Sequence, residues 1–160
     1  MKTTTKKLIE NQVNKELWSA YLYLDIARFY KSKGLLGLNA WFTKQSQEEV
    51  EHATKFMDYL QDSGEDFVLT PISGPTKVFK DLKEPLVFQL EHEKVVTSLI
   101  VAILEDAKNQ KDHFTESFLK WFIDEQFEEE THSLELIQSY DLYMSDCGSG
   151  IVEFDKSLKR

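Results

Sequence analysis

Apolar side chains recur every three or four residues along four stretches of the chain, the spacing of one helix face. The first stripe reads Ile9, Val13, Glu16, Ala20, Tyr23, Ala27, Tyr30. The second reads Leu38, Phe42, Gln45, Glu49, His52, Phe56, Tyr59. The third reads Leu82, Leu86, Leu90, Glu93, Thr97, Ile100, Leu104, and the fourth Phe118, Phe122, Gln126, Glu129, Ser133, Leu136, Tyr140. Breaks at Gly34, at Gly64, at residues 109–112 and at Gly148 and Gly150 bound these stretches. The pattern predicts helices over about 5–33, 38–63 and 81–109, a fourth ending near 145, and a short fifth over 151–158. The fold class is all-α. Asp81 and Glu84 have the spacing of a capping box, and Pro85 falls in the first turn of the third helix, where it costs little.

Connection lengths set the topology. Residues 34–37 and 109–112 are short enough to make two antiparallel hairpins. The segment 65–80 holds Pro71, Gly74 and Pro75 and has no helical period. Its roughly 16 residues can extend to about 50 Å, and a helix of about 27 residues is about 40 Å long. The link can therefore run the length of a bundle. Two hairpins joined by one long crossover form a four-helix bundle. The chain reads as a single domain over 1–160, with the bundle at about 5–145.

Every stripe is interrupted by polar groups near its middle. Counted from turns near residues 36 and 111, Glu16, Glu49, His52, Glu93, Gln126 and Glu129 lie 13 to 20 residues away. In a bundle with one crossover they fall within roughly 10 Å of one level. A lone Glu in such a stripe ordinarily snorkels outward. Four at one depth, buried without a partner, would protonate instead of staying charged. Glu49 and His52 share one helix face at i, i+3. Carboxylate oxygens with a single imidazole suit iron, manganese or zinc better than a thiolate-preferring ion. The competing explanation is a buried network of shared protons with no metal.

Composition narrows the class. Gly (6) and Pro (3) are scarce among 160 residues, which favours long helices over many short strands. A hydrophobic share of 41%, with 11 Phe, 6 Tyr and 3 Trp, supplies a core. The chain carries 28 Asp plus Glu against 19 Lys plus Arg, a formal charge of −9. With a pI near 5.0 it is not a general nucleic-acid binder. No apolar run approaches the roughly 18 residues of a membrane span, and residues 1–7 show no apolar leader segment. One cysteine, Cys147, cannot form an internal disulfide and fits a reducing compartment, so a cytoplasmic location is expected.

Four stretches carry a family resemblance: Asn14 to Tyr23 (NKELWSAYLY), Gln47 to Ala53 (QEEVEHA), Glu93 to Thr97 (EKVVT), and Phe118 to Glu130 (FLKWFIDEQFEEE). In this order and spacing the chain resembles a bacterial-type non-haem ferritin subunit over nearly its whole length. The resemblance implies a ferritin-like bundle with a short fifth helix. Glu16, Glu49 and His52 would ligate one iron, and Glu49 would bridge to a second held with Glu93 and Glu129. Gln126 would lie beside the pair. Glu48, Glu125, Glu128 and Glu129 would form a third site nearer an inner surface. Tyr23 would sit beside the centre with Trp121 near it, and core packing alone also accounts for both. Glu130 reads as a solvated position.

The family likeness further implies a ferroxidase that oxidises Fe(II) with dioxygen or peroxide and stores ferric mineral in a homo-oligomeric shell of 24 subunits. Neither nucleic acid nor membrane is an expected partner. Two departures separate the chain from haem-binding relatives. Gln126-x-x-Glu129 replaces a second Glu-x-x-His, and Val50 stands where a haem-ligating Met would be, so no haem is expected. One cysteine excludes a rubredoxin-like module with paired cysteines. Two other readings stay open: a catalytically slow structural or storage subunit, and a di-iron oxidoreductase acting on an organic substrate.

Overall fold

The computed structural model describes residues 1–146 and 149–158, with Asp146 in its backbone only. Cys147 and the expected break at Gly148 lie outside the described residues. Among the described residues five helices follow in order: α1 (Thr3–Ser32), α2 (Leu36–Asp62), α3 (Glu84–Gln110), α4 (His113–Asp146) and α5 (Gly150–Ser157). They form the expected four-helix bundle with a short helix at the C-terminal end, in which α1 pairs with α2 and α3 with α4. Among the described residues no helix is long and apolar enough to cross a membrane.

The stripes follow the buried faces closely on α1 and α2, but on α3 the buried face is rotated by one residue at three places: Gln89, Val96 and Ile103 are buried where the stripe had Leu90, Thr97 and Leu104, which are half-buried. Ile9, Val13, Phe56, Leu60, Val96, Ile100, Leu119 and Phe122 form one apolar cluster. Tyr23, Ala27, Tyr30, Leu38, Phe42, Leu86, Leu136 and Tyr140 form another, with Phe154 of α5 added. The polar interruptions lie between the two. The apolar ends hold the helices in register, because burying such side chains contributes about 25 cal/mol per Å².

The crossover runs along α1. Glu65 pairs with Lys6 near the start of that helix, Asn14 Nδ2 donates to Thr70 Oγ1 at 2.8 Å, and Tyr30 Oη donates to the Leu82 carbonyl near its end. Its extended length is therefore used. Asp81 accepts hydrogen bonds from the Lys83 and Glu84 amides. The Glu84 carboxylate reaches back to the Lys80 amide, one residue earlier than the expected capping box, at 2.7 Å. Helical geometry begins at Glu84 accordingly. Lys111 closes α3 at φ 57°, a left-handed cap from an L-residue.

The start of α2 also differs from expectation. Leu36 and Gly37 belong to α2, not to the connection before it. The reason lies far along the chain. Asp155 of α5 accepts hydrogen bonds from the Gly37 and Leu38 amides at 3.0 and 2.7 Å. It thereby caps the first turn of α2 and places a negative charge at the positive end of that helix. The approach needs glycine: a Cβ at Gly37 would stand 1.9 Å from the Asp155 carbonyl oxygen.

Asp155→Ala should therefore cost about 1 kcal/mol, and Gly37→Ala more, because its Cβ drives α5 off the bundle. Chemical denaturation followed by far-UV circular dichroism reads both. A Gly37→Ala midpoint equal to wild type would contradict the packing described.

Candidate metal centre

The middle of the bundle gathers one polar residue after another from all four helices. Glu16, Glu49, Glu93, Glu129, His52, Gln45 and Gln126 are all buried. Helical spacing holds Glu16, Gln45, His52, Glu93 and Gln126: one turn before or after each lies an apolar residue of the flanking clusters, so the side chain cannot rotate to solvent without unpacking its neighbours.

The donor atoms of Glu16 (α1), Glu49 and His52 (α2) lie within 4.8 Å of one another. His52 Nδ1 stands 3.4 Å from Glu49 Oε2. Glu16 Oε1 accepts from Gln12 Nε2 at 2.9 Å. Glu16 Oε2 and Glu49 Oε1 are buried and make no hydrogen bond. Two sealed carboxylate oxygens without a donor, beside an imidazole, form a donor set that fits a hard or borderline divalent cation.

Glu93 and Glu129 complete the layer but are turned to protein partners. Tyr23 Oη donates to Glu93 Oε1. Gln126 Nε2 donates to Glu93 Oε2 and to Thr97 Oγ1, each at 3.2 Å. Gln45 Nε2 donates to Glu129 Oε2. Neither acid belongs to the three-donor group, yet their charges act on it. The geometry thus brings all the residues of the two expected iron sites to one level. It divides them into an open trio and two carboxylates held by amide or phenol donors.

The residues of the expected third site are placed differently. Glu125 Oε1 lies 3.6 Å from His52 Nε2, on the side of the imidazole away from Glu49. Glu48 is half-buried and paired with Lys44 at 3.3 Å. Glu128 is exposed and 3.8 Å from His132. These acids form a more open patch than the trio. Trp121 sits there too, with its ring edge-on to His52 and Lys55 Nζ 4.7 Å above its face. At 41% exposure it is not a core residue, so packing alone does not describe it.

Several contributors escaped the sequence. Gln12 holds Glu16 from one turn earlier, a spacing visible in the chain but carrying no chemical signature. Thr97 is on the third stripe, yet its link between Gln126 and Glu130 depends on tertiary contact. Glu130, expected in solvent, is half-buried and accepts from Thr97 Oγ1 at 2.6 Å. His92 hydrogen-bonds Ser19 Oγ at 2.7 Å and packs on Trp18 and Tyr23. Nothing in the sequence separates it from a surface histidine.

Electrostatics follow from burial. Desolvation raises the Glu16 pKa to about 7, with Gln12 and Glu49 pulling it down and Glu93 pushing it up. Desolvation, with Glu93 and the outer acids added, raises Glu129 to about 8. Burial and three neighbouring carboxylates hold Glu49 well above the usual range. Burial raises Glu93 as well, against the Tyr23 and Gln126 hydrogen bonds. His52 falls to about 4 through burial and Lys55, so its imidazole is neutral at pH 7 and free to ligate.

These shifts fix a pH dependence. An acid whose folded pKa is raised stabilises the fold below its unfolded pKa and loses that contribution as pH rises through the folded value. His52 acts in the opposite sense, and only below its unfolded pKa of about 6.5. Between pH 6.5 and 8.5 the carboxyls alone operate. Metal-free protein should lose thermal stability as pH rises across that window. A saturating divalent cation, which holds the carboxylates charged, should flatten or reverse the slope. Scanning calorimetry with and without Zn(II) tests this; a metal-free transition independent of pH would contradict it.

Comparison with known proteins agrees with the geometry. The sequence model described as "Ferritin-like domain" matches residues 6–142. The bacterial non-heme ferritin of Campylobacter jejuni is 31% identical over 96% of this chain and 91% of its own. That of Staphylococcus epidermidis is 35% identical over 77% and 74%. The open pore ferritin of the hyperthermophilic archaeon Archaeoglobus fulgidus superposes with a TM-score of 0.94 at 32% identity, covering 99% of this chain and 97% of that one. With its bundle, its buried Glu, Glu, His trio and these relatives, the chain belongs to the ferritin family.

Proposed function

We propose that the chain is the subunit of an iron-storage ferritin and that its buried layer is a ferroxidase centre, with Fe(II) as substrate. The observation that carries this reading is the trio Glu16, Glu49, His52 with its two orphaned carboxylate oxygens inside a ferritin bundle. Glu16, Glu49 and His52 bind one Fe(II). Glu49, with Glu93 and Glu129, binds a second. The acids release their protons as iron enters, since each cation offsets the burial that kept them neutral.

The carboxylate oxygens stabilise Fe(III) over Fe(II) and so drive oxidation. Two Fe(II) give one electron each. Dioxygen takes both, with two protons, as hydrogen peroxide; peroxide as oxidant takes both, with two protons, as two waters. Tyr23 and Gln126 orient Glu93 through their hydrogen bonds. Fe(III) then passes His52 toward Glu48, Glu125 and Glu128, the open acid patch, as a third iron site.

Assembly belongs to the same reading. The crossover exposes Val68 (82%) and Val78 (80%), and α1 exposes Tyr21 and Leu24, apolar surface suited to contact with other copies. A homo-oligomeric shell of 24 such single-domain subunits, in a reducing cytoplasm, is the proposed setting.

In stopped-flow oxidation of Fe(II), the double variant Glu49→Ala, His52→Ala should lose the fast phase, about 100-fold or more, while size-exclusion chromatography shows the same assembly as wild type. Wild-type rates in that variant would sink the site. Hundreds of ferric ions retained per shell separate storage from an enzyme that stops at two irons per chain.

A further inference from the structure

Two buried polar side chains have no part in the centre just described. Gln89 of α3 is fully buried, and neither Nε2 nor Oε1 makes a hydrogen bond within the protein. Ser133 of α4 is equally buried, and its Oγ is likewise unpaired. Burying an amide or hydroxyl without a partner is costly, and such groups in native proteins are almost always satisfied by protein or by ordered water.

The two belong to one level. Gln89 lies one turn before Glu93 and three residues after Leu86 on α3. Ser133 lies one turn after Glu129 and three residues before Leu136 on α4. Leu86 and Leu136 sit in the same apolar cluster, and Glu93 and Glu129 interact within the metal layer. The helices are antiparallel and packed together, with Gln126 Nε2 on the Glu93 carbonyl fixing their register. Gln89 and Ser133 are therefore bracketed on one side by two acids that interact and on the other by two leucines of one cluster.

Neither group takes a local partner. Ser19, Thr43, Thr54, Thr97 and Thr131 each return their hydroxyl to the carbonyl four residues earlier; Ser133 does not. The Tyr23 hydroxyl of the same region is committed to Glu93. Tyr30, another buried tyrosine of that cluster, gives its hydroxyl to the Leu82 carbonyl.

We infer that Gln89 and Ser133 form an internal binding site for water, holding one or two molecules between α3 and α4 beneath the metal layer. Water has two hydrogens to give and two lone pairs to receive with. It accepts from the Gln89 amide N–H, donates to Gln89 Oε1, and exchanges either role with the Ser133 hydroxyl, which matches the three orphaned atoms. The bound water lies about one helical turn, roughly 5 Å along the axis, from Glu93 and Glu129, opposite the side that opens through His52. It hydrates the centre from within and ties the two helices that carry these acids. The site stands whether or not the centre oxidises iron.

Two measurements on the full chain test it. A crystal structure at about 1.5 Å should show ordered density within about 2.6–3.2 Å of both the Gln89 amide and Ser133 Oγ. Rotation of both groups onto protein partners, with no such density, would overturn the inference. Thermal unfolding of the metal-free protein gives the second reading. Ser133→Ala and Gln89→Leu should each lower the midpoint by at least ~2 °C, because each leaves the water and its other partner short of a bond. The double variant, which removes the whole site, should fall by well under the sum of the two. Strictly additive losses, or single variants with no loss, would show that the residues share no ligand.

Discussion

Desolvation of the carboxyl groups of Glu16, Glu49, Glu93 and Glu129 is the constraint on which the other parts of the structure depend. Four acids in the middle of a helical bundle repel one another and have left water behind. Without a cation they respond by holding protons, which is why burial is the first cause of every upward shift among them. An interior built this way is tense in its metal-free form. It is relieved by protons, by amide and phenol donors, or by divalent cations. Gln12, Gln45, Gln126 and Tyr23 supply donors to Glu16, Glu129 and Glu93. Among the acids of the described residues, Glu16 and Glu49 keep buried oxygens that no protein donor reaches.

A layer of that kind needs strong packing on either side. The aromatic residues supply it. Phe56 stacks on Phe122 at 4.0 Å on one side, and Tyr30 stacks on Phe42 at 5.5 Å on the other. The crossover lashes α1 to the start of α3, and α5 caps α2 through Asp155. Each fastening acts at an end of the bundle, away from the acids. The ends can thus be rigid while the middle exchanges protons and cations.

Much of this was legible in the chain because two periodic signals coincide: apolar stripes at helical spacing, and acids on those stripes at one common depth. Connection lengths then left one simple topology. What was not legible depended on partners distant in sequence. The start of α2 shifted because Asp155, 117 residues after Leu38, caps it. Glu130 looked like surface because its neighbours along α4 are acidic, and only Thr97 of α3 shows otherwise. Trp121 looked like core because aromatics usually are, yet its partners are the rim histidine and a lysine. Gln89 and Ser133 carry no chemical motif, and their importance comes from what fails to surround them.

The layer is also asymmetric, and the asymmetry gives direction to the proposed chemistry. On the Glu93 side Tyr23 and Gln126 hold the carboxylate, and Thr97 and Glu130 back up the amide. On the His52 side the imidazole touches Glu49 with one nitrogen and Glu125 with the other, and beyond Glu125 the acids become progressively more exposed. An ion of higher charge gains most from a dense set of carboxylates and from returning water. In the proposed chemistry Fe(III) would therefore be drawn past His52 toward Glu125 and Glu128, where both are available, whereas Fe(II) would be held by the few neutralised donors of the interior. The neutral state of His52 matters to this step. A protonated imidazole at that point would repel each cation passing between the buried layer and the open patch, and burial together with Lys55 keeps it uncharged.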